Sequence, residues 1–259
     1  MPHDDHDLGL SHDLPRLISR RRALGVLLGG FGSAVVVACG GTSSQDRSTA
    51  AGGDQIPEET AGPFPGDGSN GPNVLSESGI VRSDITRSVG DASGVAEGVP
   101  TTVNLKLLDV TGGGGPLAGA AVYLWHCDRE GRYSLYDDAV AGENYLRGVQ
   151  ESGADGTLTF TTIFPAAYQG RWPHMHFEIY ESLDAATAGQ AKLRTTQLAI
   201  PQDVCEAVYA TAGYERSVQN LAATSLDDDM VFGDGYRSQL ASVSGSVEDG
   251  YTLTLNVGV

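Results

Sequence analysis

The chain is poor in basic side chains, in histidine, in cysteine and in long apolar runs. Sixteen Lys and Arg stand against 33 Asp and Glu, a formal net charge of −17. A surface of that sign repels phosphate backbones, which argues against nucleic acid as a partner, and it disfavours anionic lipid held by charge alone. The simplest reading of the acids is that they keep the protein soluble. No internal repeat of solenoid length and no Gly-X-Y period occur, which excludes stacked-repeat and collagen-like architectures. Apolar stretches of helical period are few. Glycine, by contrast, is abundant at 35 of 259 residues, near twice its usual share of about 7%. Many short strands joined by tight turns are expected.

The N-terminus reads as an address. Ser19-Arg20-Arg21-Arg22-Ala23-Leu24 leads into the weakly apolar stretch Ala23–Ala38, which resembles a twin-arginine export signal. That stretch holds 16 residues, four of them glycine, short of the ~20 apolar residues a membrane span needs. It ends in Val36-Val37-Ala38-Cys39-Gly40, which resembles a bacterial lipobox with Cys39 as the lipidated first residue of the mature protein. On this reading residues 1–38 are the signal and 39–55 a Gly/Ser/Thr/Ala-rich tether. Contact with a membrane is then made only through the lipid at Cys39, on the outer face of the cytoplasmic membrane. Residues 56–259 form one domain, large enough for a substantial core. The twin-arginine route is associated with proteins that fold, and often take up a cofactor, before export.

Two further cysteines, Cys127 and Cys205, make an even pair, which in an exported chain suggests a disulfide. Closing a loop of that length would stabilise by about 4 kcal/mol in the chain-entropy model. Two buried free thiols are the alternative.

Along the folded part, Glu58–Gly66 carries Pro63 and Pro65 and reads as an extended arm laid over the domain. Thr101–Val110 alternates, with Val103, Leu105 and Leu107 on one face, a half-buried strand. Ala120–His126, Gly156–Ile163, His174–Tyr180, Leu193–Ile200 and Tyr251–Val257 read as further strands, and Asp155-Gly156 as a hairpin signal. Pro201–Thr211 alone has convincing helical character. The expectation is an antiparallel β-sandwich with long loops and one or two short helices.

After Cys39 the chain has only three histidines, His126, His174 and His176. On a strand, residues i and i+2 project from one face. His174 and His176 therefore point together, while Met175, Phe177 and Ile179 face apolar packing. Two imidazoles side by side on a rigid strand suit a metal; two unrelated surface histidines are the other reading. His126 competes as a ligand, but its Trp125-His126-Cys127-Asp128 run favours a structural role. Asp227-Asp228-Asp229 lacks the alternating spacing of a calcium loop and reads as solvated. No histidine-plus-carboxylate pattern attaches to either remaining cysteine, so neither reads as a nucleophile.

Six segments then occur in order over about 140 residues: Thr60-Ala61-Gly62-Pro63-Phe64, Gly131-Arg132-Tyr133-Ser134, Leu146-Arg147-Gly148, Thr162-Ile163-Phe164-Pro165 with Tyr168, Arg171-x-Pro173-His174-x-His176-Phe177, and Thr195-Thr196-Gln197. In this the chain resembles the intradiol ring-cleavage dioxygenases, and most of all their short, exported bacterial branch. It departs from the pattern at Ala166-Ala167, where many members have Gly after the Pro.

The resemblance implies a catalytic domain over 56–259 that binds non-haem Fe(III) through Tyr133 and Tyr168 as phenolates and His174 and His176 as imidazoles. It also implies a catechol-type diol and O2 as substrates and a muconate-type diacid as product. Tyr168 matches the tyrosine that gives way to substrate, Arg171 the cation that stabilises charge building on the ring, and Gln197 a polar group beside it. Hard phenolates favour ferric iron, and only a strongly charged metal holds tyrosine ionised at neutral pH. Two other readings compete: a cell-surface β-sandwich that has lost the chemistry and binds carbohydrate or a protein, and a zinc hydrolase using the two histidines. The second lacks an obvious third ligand.

Overall fold

The computed structural model describes residues 55–259. The export signal, the lipobox cysteine and all but the last residue of the tether lie outside the described residues. In chain order the elements are β1 (Pro100–Asp109), β2 (Gly115–Pro116), β3 (Ala121–Trp125), β4 (Arg147–Glu151), β5 (Thr157–Ile163), β6 (His174–Tyr180), α1 (Leu183–Thr187), β7 (Arg194–Ala199), α2 (Gln202–Tyr209), α3 (Glu215–Ala222), β8 (Ser242–Ser246) and β9 (Gly250–Gly258). One sheet has the order β2–β1–β9–β8, with β5 also paired to β1; the other runs β4–β3–β6–β7.

This is the expected β-sandwich, with one departure from antiparallel pairing among the named strands. β1 and β9 run parallel, from Thr101 opposite Tyr251 to Leu108 opposite Gly258. Parallel pairing needs a long crossover rather than a tight turn, and about two thirds of the described domain lies between these two strands. Asp155-Gly156 also turns the chain without making a hairpin. Gly156 sits at φ +77°, and a Cβ there would stand 2.4 Å from the Leu107 carbonyl oxygen. The strands on either side of this turn go to different sheets, β4 to β3 and β5 to β1.

The alternation in β1 buries Val103, Leu105 and Leu107 against Leu253, Leu255 and Val257 of β9. The other sheet answers with Val122 and Leu124 of β3 and Met175, Phe177 and Ile179 of β6. Each such side chain contributes about 1.5–3 kcal/mol relative to exposure. All five residues of β3 and all seven of β6 are buried, because this sheet is covered on both faces. On its outer face Ala121, Tyr123 and Trp125 pack with Tyr133, Val149 and Tyr180 under the loops.

α2 falls within the segment predicted to be helical. α1 and α3 were not anticipated, for physical reasons: α1 is a single turn capped by Ser182 Oγ on Ala185 N–H at 3.1 Å, and α3 (ERSVQNLA) is polar along most of its length, with Leu221 its one large buried apolar side chain. β4 and β8 escape notice because RGVQE and SVSGS are too polar to read as strands. Among the described residues no helix is long and apolar enough to cross a membrane.

The expected disulfide is absent: Cys127 and Cys205 are buried free thiols. They belong to different packing layers, Cys127 to the outer one and Cys205 to the core between the sheets. Their Sγ atoms lie 3.6 and 3.9 Å from the Ala166 and Ile200 carbonyl oxygens. Burial raises both thiol pKa values, and Asp128 and Asp203 respectively add to it. In native protein neither thiol should react with an alkylating reagent. After unfolding without reductant both should label, and reductant should leave the Tm unchanged; a Tm that falls on reduction contradicts this assignment.

Candidate metal centre

The register of the four-stranded sheet lines up one row of side chains on its outer face. Arg147 of β4 is paired with Trp125 of β3, Trp125 with His176 of β6, and His176 with Gln197 of β7. The Trp125 and His176 rings stack at 5.0 Å with planes 7° apart. Gly62, in the arm, covers the edge of the same imidazole: at φ +71° a Cβ there would stand 3.2 Å from His176 Cε1. His174 lies one pleat away on the same face, its Nδ1–H donating to the Trp172 carbonyl oxygen at 2.5 Å. That bond fixes the tautomer and leaves the Nε2 lone pair pointing into the site.

Two loops bring phenols to these imidazoles. Tyr133 follows the turn Asp128–Arg132, in which the Asp128 carboxylate accepts from the backbone of Glu130 and Arg132 and from Arg132 Nε at 2.8–3.0 Å. Tyr168 follows Ala166-Ala167, and the departure from the family pattern there has a local compensation. Ala167 N–H donates to Ser217 Oγ at 3.1 Å, and Asn220 Nδ2 donates to the Ala167 carbonyl at 2.8 Å, so α3 pins the loop.

The four groups converge. Tyr133 Oη is 3.3 Å from Tyr168 Oη, Tyr168 Oη is 3.0 Å from His174 Nε2, and His174 Nε2 is 3.0 Å from His176 Nε2. Ligands about 2 Å from one cation, at angles between a right angle and the tetrahedral value, stand roughly 2.8–3.3 Å apart. The spacing and the donor types thus fit one hard, highly charged metal ion. Among the described residues no group of three or more His, Cys, Asp or Glu could hold a metal, so a centre here requires the phenols.

The electrostatics leave all four groups uncharged. Burial, and then the neighbouring Tyr168, raises the Tyr133 phenol well above its ordinary pKa. Burial pushes Tyr168 up to about 12 against the pull of Arg171. Burial, and then Arg171, lowers His174; burial, and then His174, lowers His176, so both imidazoles are neutral and able to donate lone pairs. A metal bound by these groups would displace the phenol protons, so acid would oppose its binding.

Arg171 stands beside the cluster, its Nη1 3.4 Å from His174 Nε2. Its Nη2 donates to Gln197 Oε1 at 2.7 Å, and Gln197 Nε2 donates to the Thr60 carbonyl at 2.9 Å, tying the arm to the site. All six residues singled out in the sequence are thus brought together. His126 is not among them: its Nδ1 and Nε2 are taken by the Cys127 carbonyl and Thr162 Oγ1 at 2.8 and 2.7 Å, and burial lowers its pKa to about 4.

Sequence reasoning missed two supports. Asp229, expected in a solvated acidic loop, is buried and ion-paired to Arg171 Nε at 3.0 Å; Asp227 and Asp228 are the exposed members of the run. Arg147, quoted only as part of a matching segment, is 1% exposed and donates to the carbonyls of Phe64, Pro65 and Ser134, to Ser134 Oγ and to Tyr123 Oη. It clamps the arm to the turn after Tyr133.

A family model described as Dioxygenase (Dioxygenase_C) matches residues 70–204, just over half of the chain. Catechol 1,2-dioxygenase 1 of Acinetobacter lwoffii is 44% identical over 61 residues, 23% of this chain and 20% of that protein. The 6-chlorohydroxyquinol 1,2-dioxygenase of Cupriavidus pinatubonensis is 34% identical over 116 residues, 36% of this chain and 41% of that protein. The match therefore spans about a fifth to two fifths of the length of these curated relatives. In fold, the chain is similar to an intradiol ring-cleavage dioxygenase from Tetranychus urticae, with a TM-score of 0.60 and 24% identity over 79% of this chain and 94% of that one. The chain belongs to the intradiol ring-cleavage dioxygenase family. Asp229 lies beyond the segment the family model matches.

Replacing Arg147 by Met should strand buried carbonyls at about 1–3 kcal/mol each where they find no water. A loss of about 3 kcal/mol in urea unfolding is expected; a loss below about 0.5 kcal/mol, the size of a surface change, would show that the clamp is idle.

Proposed function

We propose that this chain cleaves a catechol-type diol with O2 between its two hydroxyl-bearing carbons, giving a muconate-type diacid, at one Fe(III) held by Tyr133, Tyr168, His174 and His176. Both oxygen atoms enter the product, so no external reductant is consumed. The observation that carries the reading is the buried convergence of two phenol oxygens and two imidazole nitrogens with neighbours 3.0–3.3 Å apart. The substrate class is supported by the catechol and chlorohydroxyquinol named for the two relatives.

Fe(III), when bound, supplies Lewis acidity that acidifies the diol and draws electron density from its ring. The remaining work falls to the chain. Tyr168 sits on a loop and is more exposed than Tyr133. It is the phenol placed to yield room to substrate, and its Oη would accept a diol proton. Burial raises its pKa to about 12, the direction that favours holding a proton at Oη. Tyr133, His174 and His176 are more deeply buried and hold their places. Arg171 presents Nη1 to the site as a fixed cation for charge developing on the ring, in a dry setting where such a charge acts strongly. Gln197 orients Arg171 and fastens the arm.

The purified, iron-loaded protein should be burgundy to red-brown from tyrosinate-to-iron charge transfer and should consume O2 with members of a catechol panel. Y133F and H176A should lose both colour and turnover. R171M should keep the colour and lose roughly 10²–10³-fold in kcat, as when a preorganised charge-stabilising donor is removed. Iron-loaded protein that stays colourless would sink the reading.

The same proposal includes export through the segment 1–38 and a lipid at Cys39, supported by the paired arginines and the lipobox-like Val36–Gly40 run. C39S should move the protein from the membrane fraction to the soluble one. If C39S stays with the membrane, the anchor is not at Cys39.

A further inference from the structure

We propose that Asp229 is a positioning residue for ring cleavage: its carboxylate holds the Nε–Nη2 edge of Arg171 so that Nη1 faces the centre formed by Tyr133, Tyr168, His174 and His176. The inference rests on the ring-cleavage reading above and assigns a role that the family-matched segment does not contain.

A guanidinium has separate donor edges, and a carboxylate that takes one edge bidentately dictates where the other points. Asp229 Oδ2 accepts from Arg171 Nε at 3.0 Å, and Oδ1 lies 3.4 Å from Nη2. Gln197 Oε1 takes Nη2 from the other side at 2.7 Å. Nη1 is the nitrogen left to face the site, 3.4 Å from His174 Nε2.

The carboxylate is itself immobilised. Oδ2 also accepts from Trp172 N–H at 2.7 Å, and Oδ1 from the N–H groups of Val231 and Phe232 at 2.8 and 3.2 Å. Five donors on one carboxylate lock it between two chain segments and fold the loop that brings Phe232 over the site. The Phe232 ring lies 6.0 Å from Arg171 Cζ and 6.4 Å from the His174 ring, and it is fully buried. Neither side chain of the pair is more than 4% exposed. In so dry a setting a guanidinium without its partner would swing or draw in water, and its field at the ring would fall.

The test compares wild type, D229N, R171Q and the double variant in kcat, KM, visible absorption and melting temperature. D229N should lower kcat roughly 10- to 100-fold, as supporting-shell changes do, with KM little altered and the colour of the iron centre retained. In the R171Q background D229N should cost less than about threefold more, because residues acting through one another are not additive. A folded D229N with wild-type kcat, or a full multiplicative loss in the double variant, overturns the proposal.

Should D229N fail to fold, R171K decides. Lysine keeps the charge but cannot span both carboxylate oxygens, so kcat should fall as far as in R171Q; wild-type kcat in R171K overturns the proposal. A wild-type protein with neither colour nor O2 uptake overturns the ring-cleavage reading and this one with it, whereas an active, coloured wild type beside an unaffected D229N overturns only this one.

Discussion

Successive side chains of a β-strand point to opposite faces, and on β6 that constraint carries most of the architecture. Met175, Phe177 and Ile179 enter the core between the sheets, which forces His174 and His176 onto the outer face together. A slip of one residue would drive two imidazoles into the apolar core and set three apolar side chains among the polar groups of the site, so folding energy and site geometry enforce the same register. The pairing of β3 and β7 with β6 then sets Trp125 and Gln197 beside His176. The strand supplies half of the donor cluster as a consequence of ordinary packing.

The other half comes from loops, and loops need external support to hold a side chain to within a fraction of an ångström. The domain provides it with buried polar ties. Arg147 binds the arm to the Tyr133 turn, and α3 pins the Tyr168 loop through Ser217 and Asn220. Asp229 and Gln197 fix Arg171 from two sides. The site therefore lies beneath an outer layer that packs on one face of a sheet, while the other face forms the hydrophobic core. The main hydrophobic core and the site thus occupy different faces of the same strands.

Much of this was legible in the sequence. Six side chains, Tyr133, Tyr168, Arg171, His174, His176 and Gln197, were identified from strand period and from segments in family order, and all six meet. Strong alternation, as in β1 and β9, marked strands; weak alternation, as in RGVQE and SVSGS, hid them. What could not be read was set by contacts distant in sequence. Nothing local separates Asp229 from Asp227 and Asp228, since its burial depends on Arg171, 58 residues earlier. The parallel pairing of β1 with β9 and the separation of Cys127 from Cys205 into two layers are likewise properties of the assembled fold, and composition pointed the wrong way on the disulfide.

The central claim is that four named atoms bind one iron. A crystal structure of iron-loaded protein, with anomalous scattering recorded at the iron edge, tests it most directly. One anomalous peak about 2 Å from Tyr133 Oη, Tyr168 Oη, His174 Nε2 and His176 Nε2 is the predicted result. A peak elsewhere, or one that leaves both phenols outside bonding distance, would contradict the account.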